Sequence, residues 1–294
     1  MRTLKRLLLI ISSITILLIG WFYLHIHSNI KLPTATYELS IQPGSNLKQI
    51  SQQLANAGII PSQWTFIILA RYLNHESAIK AGDYELTGNL SQIALLDYLI
   101  KGNAKQNEIK FIEGWTFAQI RKVLNEHPAI EYKSAGLSDQ QILQHIGASE
   151  TAVEGIFFPD TYYFIKGSSD LDILQRAYKT MQNHLQNYWS ERVESLPLNT
   201  PYEALILASI IEKETGAESD RDEIAGVFIN RLRKGMKLQT DPTVIYGLGE
   251  QFDGNLRKKD LLADQEYNTY TRAGLPPTPI SLPSLASIRA ALNP

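Results

Sequence analysis

The sequence predicts an α+β protein with an N-terminal transmembrane helix, a small α/β module and a larger, mostly helical α+β domain. Three observations predict this class: an apolar run over residues 7–24, a strand-helix-helix-strand pattern over residues 37–86, and several helical hydrophobic patterns beyond residue 105. The 294 residues leave room for about two domains.

Composition excludes several kinds of site. The net charge of −2 implies no strong attraction to nucleic acids. The absence of cysteine excludes disulfides, thiolate zinc sites and thiol nucleophiles. The last histidine is His184, so the C-terminal part offers neither a histidine triad nor a histidine-rich metal site. Carboxylates remain as the candidates for acid–base chemistry there.

Residues 1–29 are predicted to form a cytoplasmic tip and a transmembrane anchor. Three basic residues precede the apolar run, and about 20 such residues span a bilayer as a helix. An aromatic belt, residues 21–23, lies at the far end of the run, and the basic flank predicts a cytoplasmic N-terminus with the remainder exported. A cleaved signal peptide is the alternative, but the run is long for one and no A-x-A-like site follows it.

Residues 30–36 are predicted to be a linker, and residues 37–104 to be the small module. Alternating residues 37–41 predict a strand, helices are predicted over residues 47–54 and after Pro61, and residues 82–86 are extended before a helix over 93–100. This order resembles a LysM-like module, a small fold often used for glycan binding. A structural spacer with the same fold is the alternative.

Residues 105–294 are predicted to form the larger domain. A strand is predicted at residues 108–112, and helices at 116–127, 139–146, 171–193, 219–235 and 283–292. Residues 154–162 are predicted to be an aromatic loop that packs its rings, residues 238–247 to be extended and broken by Pro242, and residues 267–277 to be a rigid polar loop.

Residues 200–216 predict the central buried helix of this domain. Thr200 suits the N-cap, Pro201 the first helical position and Glu203 a capping box. The segment is apolar around nearly its whole circumference, which is typical of a core helix. Gly216 is expected as the left-handed residue that ends it.

This helix is expected to carry Glu212 and Glu214 in its last turn. The negative end of the helix dipole and desolvation by neighbours both favour the protonated form of a carboxyl group, as a general acid requires. At about 100° per residue the two point to nearly opposite sides, so only one can face a given cleft. The local pattern does not choose between them.

Four phrases together resemble the MltG or YceG-like family of membrane-anchored endolytic murein transglycosylases. They are ASIIEKETG (208–216), FINRLRKGMKLQTDPTVIYG (228–247), YNTYTRAGLPPTPI (267–280) and EGIFFPDTYYF (154–164). The resemblance runs from the anchor to the end of the chain in the family's order. It implies cleavage of the MurNAc–GlcNAc β-1,4 bond of nascent peptidoglycan, with 1,6-anhydro-MurNAc ends that terminate elongation. It also implies a bacterial inner-membrane location and contact with peptidoglycan synthases.

The resemblance identifies Glu214 as the catalytic residue, because the family uses the second glutamate of its E-K-E phrase. Glu212 is then expected to be solvated or salt-bridged. Such an enzyme uses one carboxyl group as both acid and base, with the sugar's own C6 hydroxyl as nucleophile, and needs no metal or cofactor.

Candidate substrate-binding residues lie in the two most distinctive polar loops: Gln239, Asp241, Tyr246, Asn268 and Tyr270. Glu154 and Asp160 are weaker candidates. For each residue the alternative is structural, since Asp241 before a proline can cap a turn and the tyrosines can belong to the core.

Two other functions stay open on sequence alone. One is a non-catalytic peptidoglycan-binding or scaffold protein acting through the module. The other is a muramidase that hydrolyses the same bond, although no clear second carboxylate partner stands out. The family's domain is expected to continue with a strand-rich segment and a final helix beyond Asn293-Pro294, so the catalytic domain is expected to be shortened at its C-terminus.

Overall fold

The computed structural model describes residues 2–42, 44–102 and 107–294, which divide into two compact units, Met1–Asn107 and Glu108–Pro294. The predicted domain boundary between residues 104 and 105 lies outside the described residues. About half of the residues are helical, and the described parts contain three two-stranded sheets. The predicted α+β class is confirmed.

The first helix, α1 (Arg2–His27), contains an 18-residue stretch, Ile10–His27, with a mean hydropathy of 1.7. By length and composition it can cross a membrane. Its last turn packs on the first unit: Ile26 is 8% exposed, and Ile30 beyond it is 7% exposed and donates its amide to the Leu90 carbonyl at 2.7 Å. The predicted linker at residues 30–36 therefore begins with a core residue.

The rest of the first unit has the predicted order of elements. These are β1 (Thr36–Ile41), α2 (Leu47–Asn56), α3 (Gln63–Tyr72), β2 (Gly82–Thr87) and α4 (Gln92–Lys101). The strands pair antiparallel, with Thr36 opposite Thr87 and Ile41 opposite Gly82. Tyr84, Phe66 and Leu54 fill the centre, where each is at most 1% exposed.

The second unit starts with two small sheets and three helices. Its first elements are β3 (Asn107–Lys110), α5 (Phe117–Glu126), β4 (Ile130–Glu131), α6 (Asp139–Ile146), β5 (Thr161–Phe164), β6 (Ser168–Ser169) and α7 (Asp170–Ser190). Strand β3 pairs with β5, and β4 runs parallel to β6. The aromatic loop packs as predicted: Phe157 is fully buried and stacks on Phe117, with ring centroids 5.3 Å apart.

The remaining elements of the second unit are the central helix α8 and the helices that follow it along the chain. They are α8 (Pro201–Glu214), α9 (Arg221–Arg233), α10 (Asp241–Leu248), α11 (Lys258–Leu262) and α12 (Leu285–Leu292), with 3-10 turns at Glu218–Asp220 and Gly249–Gln251. Helices α7, α9, α10 and α12 all pack on α8. Every residue from 204 to 211 is at most 4% exposed, so the predicted core helix is confirmed.

Details at both ends of α8 differ from the prediction. The Thr200 hydroxyl accepts the Glu203 amide at 3.2 Å, but the Glu203 carboxylate accepts the Asn199 amide at 2.6 Å rather than that of the cap. At the other end Thr215 is extended (φ −143°, ψ 139°), and Gly216 is not in the left-handed region. Gly216 is thus not the helix-ending residue that its position suggested.

The prediction that residues 238–247 are extended was wrong for the second half of the segment. Helix α10 begins at Asp241, with Pro242 in its first turn. A proline there loses no helical hydrogen bond, because the first amides of a helix have no partner within it, and its fixed φ suits the helix. The proline that suggested a break in a strand instead starts a helix.

Candidate active site

Glu214 ends α8 with an exposed side chain that meets the loop before α10. The Thr240 hydroxyl donates a hydrogen bond to its carboxylate. Thr240 is 2% exposed, and its amide donates to the Thr269 hydroxyl at 3.1 Å. Thr243 donates in turn to the Thr240 carbonyl at 2.8 Å. A buried threonine cluster therefore ties the end of α8 to α10 and to the loop around residue 269.

Asp241 and Tyr270 lie beside Glu214. The Tyr270 hydroxyl donates to the Asp241 carboxylate at 2.6 Å. Burial, the hydrogen bond and charge of Asp241 and the charge of Glu214 together raise the pKa of Tyr270 to about 12. The phenol stays protonated at ordinary pH, and the three side chains form one electrostatic group.

Gln239 is exposed and has a left-handed backbone, with φ +51°. This conformation costs a non-glycine residue roughly 1 kcal/mol. The Gln239 amide donates to the Thr269 carbonyl at 3.1 Å, which holds the turn in place. Gln239 directly precedes Thr240 and Asp241, so its exposed side chain lies on the same loop.

Asn268 is not brought to the site as an available side chain. It is fully buried, and its amide group donates to the carbonyls of Asp260, Leu261 and Ala263 at 3.2, 3.1 and 2.6 Å. Its side-chain oxygen accepts the Tyr270 amide at 2.9 Å. Asn268 therefore shapes the loop that positions Tyr270, and the structural alternative describes it better than substrate binding.

Tyr246 forms a hydrogen-bonded pair with Glu154. Its hydroxyl donates to the Glu154 carboxylate at 3.1 Å, and the Phe117 amide donates to the same carboxylate at 2.9 Å. Glu154 is 8% exposed, and burial raises its pKa from 4.5 to about 7. Burial and the charge of Glu154 also raise the pKa of Tyr246. Tyr246 lies about one and a half helical turns after Asp241.

Glu212 is the buried acid of the last turn. Its carboxylate accepts from the Ser284 amide at 2.9 Å and the Ser287 hydroxyl at 2.7 Å, and lies 3.5 Å from the Arg221 guanidinium. The side chains of Glu212 and Arg221 are 7% and 10% exposed. The expectation of a salt-bridged Glu212 is confirmed. Desolvation was predicted for both acids, and for exposed Glu214 that prediction was wrong.

Asp160 is exposed, and its carboxylate accepts the Thr161 amide at 2.7 Å where β5 begins. Nothing in the described part of the chain links it to Glu214. Within the same residues, no group of three or more histidine, cysteine or acidic side chains could hold a metal ion.

Sequence reasoning missed Thr240 and Thr269. Both lie inside the distinctive phrases, but a threonine next to an aspartate or tyrosine carries no signal of its own. A pairing of polar side chains across 29 positions becomes visible only when α8, α10 and the loop are assembled.

The model of the YceG-like family matches residues 39–294. An endolytic murein transglycosylase of Bacillus subtilis (strain 168) is 31% identical over 277 residues, covering 88% of this chain and 76% of that protein. One from Streptococcus pneumoniae serotype 2 (strain D39) is 28% identical over 288 residues, and the chain spans about half of it (52%). The crystal structure of a YceG-like protein from Listeria monocytogenes is 30% identical, with a TM-score of 0.54 over 88% of this chain and 90% of that one.

Proposed function

The chain belongs to the YceG-like family, and from this premise we propose that it is an endolytic peptidoglycan transglycosylase with Glu214 as its catalytic residue. The observation that carries the assignment of Glu214 is its position. It ends a helix whose residues 204–211 are buried, its side chain is exposed, and it touches Thr240 beside the Asp241–Tyr270 pair. Glu212 is occupied by Arg221 and two serines.

In the proposed reaction, protonated Glu214 gives its proton to the bridging oxygen as the MurNAc C1–O bond breaks. The resulting carboxylate takes the proton of the C6 hydroxyl of the same MurNAc while that oxygen bonds to C1. The products are a GlcNAc end with a free 4-hydroxyl and a 1,6-anhydro-MurNAc end, and no water is consumed. Because nucleophile and electrophile share one ring, proximity replaces a positioned water.

The neighbours of Glu214 have separate roles in this proposal. Thr240 orients the carboxyl group through its hydroxyl. Asp241 and Tyr270 form a hydrogen-bonded pair that can bind sugar hydroxyls and face developing positive charge at C1. Gln239 is the exposed polar side chain of the same loop. A glycan strand lying over Glu214 would exclude water from it, which favours the protonated acid.

The first unit supplies tethering and binding in this proposal. Helix α1 anchors the chain in the bacterial inner membrane, with its basic N-terminus in the cytoplasm and the catalytic unit outside. The antiparallel pair β1–β2 with α2 and α3 between the strands supports a LysM-like, glycan-binding module. Peptidoglycan synthases are the proposed protein partners, since a strand-terminating enzyme acts where strands are made.

The test is a digest of purified glycan strands by the full chain in detergent, analysed by mass spectrometry. We expect 1,6-anhydro ends from the wild type and none from Glu214→Gln. Glu223→Gln, which changes an exposed glutamate on α9, is the matched control and should cleave normally. Reducing ends would instead identify a hydrolase, and strand binding without any cleavage would identify a non-catalytic module.

A further inference from the structure

The first unit exposes one apolar stripe. Among its described residues after α1, the exposed large hydrophobic side chains are Trp64 (61%), Ile68 (53%) and Tyr72 (80%). They recur at every fourth position of α3, a spacing that places them on one side of the helix. Other α3 residues, including Phe66 and Leu69, lie in the core. A stripe of this kind on an otherwise polar surface marks an interaction site.

Helix α1 holds α3 close to the point where the chain leaves the bilayer. Phe22 and Ile26, one turn apart, pack against the core of the first unit, and α1 contacts both α3 and α4. The Gln92 side chain at the start of α4 also donates to the His25 carbonyl at 3.3 Å. The end of α1 is therefore part of the unit and not a flexible tether.

The length of the transmembrane part of α1 leaves no linker between the bilayer and the first unit. A helix needs about 20 residues to cross the hydrocarbon core. Counted from Leu7, directly after the last basic residue Arg6, that length reaches Ile26. The residues that cross the outer boundary of the bilayer are thus the same residues that pack on the unit. Since α1 contacts α3 and neighbouring helix axes lie about 8–10 Å apart, the proposed anchor brings α3 close to the surface of the bilayer.

The residue types of the stripe fit that position. Tryptophan and tyrosine concentrate where the bilayer meets water, because an apolar ring with a polar edge suits both phases. Exposed Trp21 and Tyr23 on α1 begin this aromatic band, at 57% and 59% exposure. On α3, Trp64 and Tyr72 likewise place rings with a polar edge on either side of Ile68.

We propose that α3 lies on the outer surface of the membrane and inserts Trp64, Ile68 and Tyr72 among the lipid headgroups. The inference rests on the proposed anchor, and it adds a second, peripheral contact that fixes the first unit against the bilayer. The occupant of the stripe is lipid, not a protein partner or a second copy of the chain.

The absence of native cysteine allows a direct test by single spin labels on the full chain. Ile68→Cys reports on the stripe, Lys48→Cys on the exposed side of α2 is the matched control, and Ile16→Cys reports on the anchor. Each protein is reconstituted in phosphatidylethanolamine–phosphatidylglycerol liposomes. Collisions with oxygen, which concentrates in the bilayer, are compared with collisions with a water-soluble nickel complex.

We expect the oxygen-to-nickel ratio at Ile68→Cys to be several-fold above that at Lys48→Cys and below that at Ile16→Cys. Tyr72→Cys, at the end of the same stripe, should agree. If Ile16→Cys lies in the bilayer while both stripe labels behave like Lys48→Cys, the inference is overturned and the anchor stands. If a label on the stripe is shielded from both reagents, or if its spectrum is broadened by the label of a second copy of the chain, the stripe contacts protein and the inference is also overturned. An Ile16→Cys label in water overturns the anchor itself.

Discussion

Glu212 and Glu214 lie two residues apart and have opposite environments. Glu212 is enclosed with Arg221, Ser284 and Ser287, whereas Glu214 is exposed and shares one described hydrogen bond, with Thr240. Removing one partner of a buried ion pair leaves the other charge uncompensated. The same chemical change should therefore affect stability at one position and activity at the other.

We predict that Glu212→Gln lowers the free energy of unfolding by roughly 2–4 kcal/mol, because Arg221 would lose its charged partner. Glu214→Gln should change it by less than about 1 kcal/mol, since an exposed group is replaced by one of equal size. Urea denaturation followed by circular dichroism measures both. Equal losses from the two substitutions would contradict the assignment of a structural role to Glu212.

Gln239 allows a substitution that separates substrate contact from folding. Its φ of +51° is a conformation that glycine adopts without strain, so Gln239→Gly should leave stability unchanged or raise it slightly. If the side chain binds the glycan, KM should rise with little change in kcat. An unaltered KM in a fully folded Gln239→Gly variant would remove Gln239 from the site.

Glu154 makes stability depend on pH in a defined direction. Its pKa rises from 4.5 to about 7 on folding, so the folded protein binds this proton more tightly than the unfolded chain does. The contribution is complete below about pH 4.5 and disappears as the pH rises through 7, a change on the order of 3 kcal/mol. Subtracting the Glu154→Gln stability profile from that of the wild type should isolate this slope. A flat difference would mean that Glu154 is not desolvated.

At the scale of elements, the sequence predicted most helices and strands because their hydrophobic periods and caps are local. Helix α6 (Asp139–Ile146) matched its predicted bounds. Helix α10 was missed because its eight residues show no clear period, and the Asp-Pro pair suits a turn as well as a helix start. The two-residue strands β4 and β6 depend on pairing between distant segments and leave no pattern in the sequence.

The same limit applies to the site. Glu214 was predicted through its family phrase, and the polar loops led to Asp241 and Tyr270. Asn268 was assigned to substrate because a polar residue inside a distinctive loop has the same signal whether it faces a cleft or the loop's own carbonyls. Only burial and three hydrogen bonds separate the two roles.

Thr240 joins three elements, and Thr240→Val tests that junction while keeping the branched shape. The variant loses only the hydroxyl that donates to Glu214, so we expect a lower kcat and a stability loss of about 1 kcal/mol. Because the reaction starts from protonated Glu214, the alkaline limb of the pH–rate profile should also shift. Thr243→Val is the control, because its hydroxyl bonds Thr240 and Thr269 but not Glu214. Thr243→Val should lose stability without shifting the pH–rate profile. If its profile shifts as that of Thr240→Val does, the role of Thr240 is purely structural.

At the scale of the whole molecule, the proposed function assigns binding to the first compact unit and chemistry to the second. Glu214, Thr240, Asp241 and Tyr270 all lie in the second unit, as does a hydrophobic cluster that runs from Ile109 to Leu292. The cluster has its own central helix, α8, and its described members all lie in the second unit. A unit with its own core is expected to fold by itself.

We therefore predict that residues 108–294, produced alone, fold cooperatively and still release 1,6-anhydro ends from soluble glycan strands. The lost module and anchor should raise KM and abolish membrane association, while kcat stays within a few-fold of the full chain, because Glu214 and the Thr240 hydroxyl that bonds it are both kept. Mass spectrometry of the digest gives the product, and Glu214→Gln in the same fragment is the control. A fragment that melts cooperatively but leaves the strands intact would show that the first unit takes part in the chemistry itself.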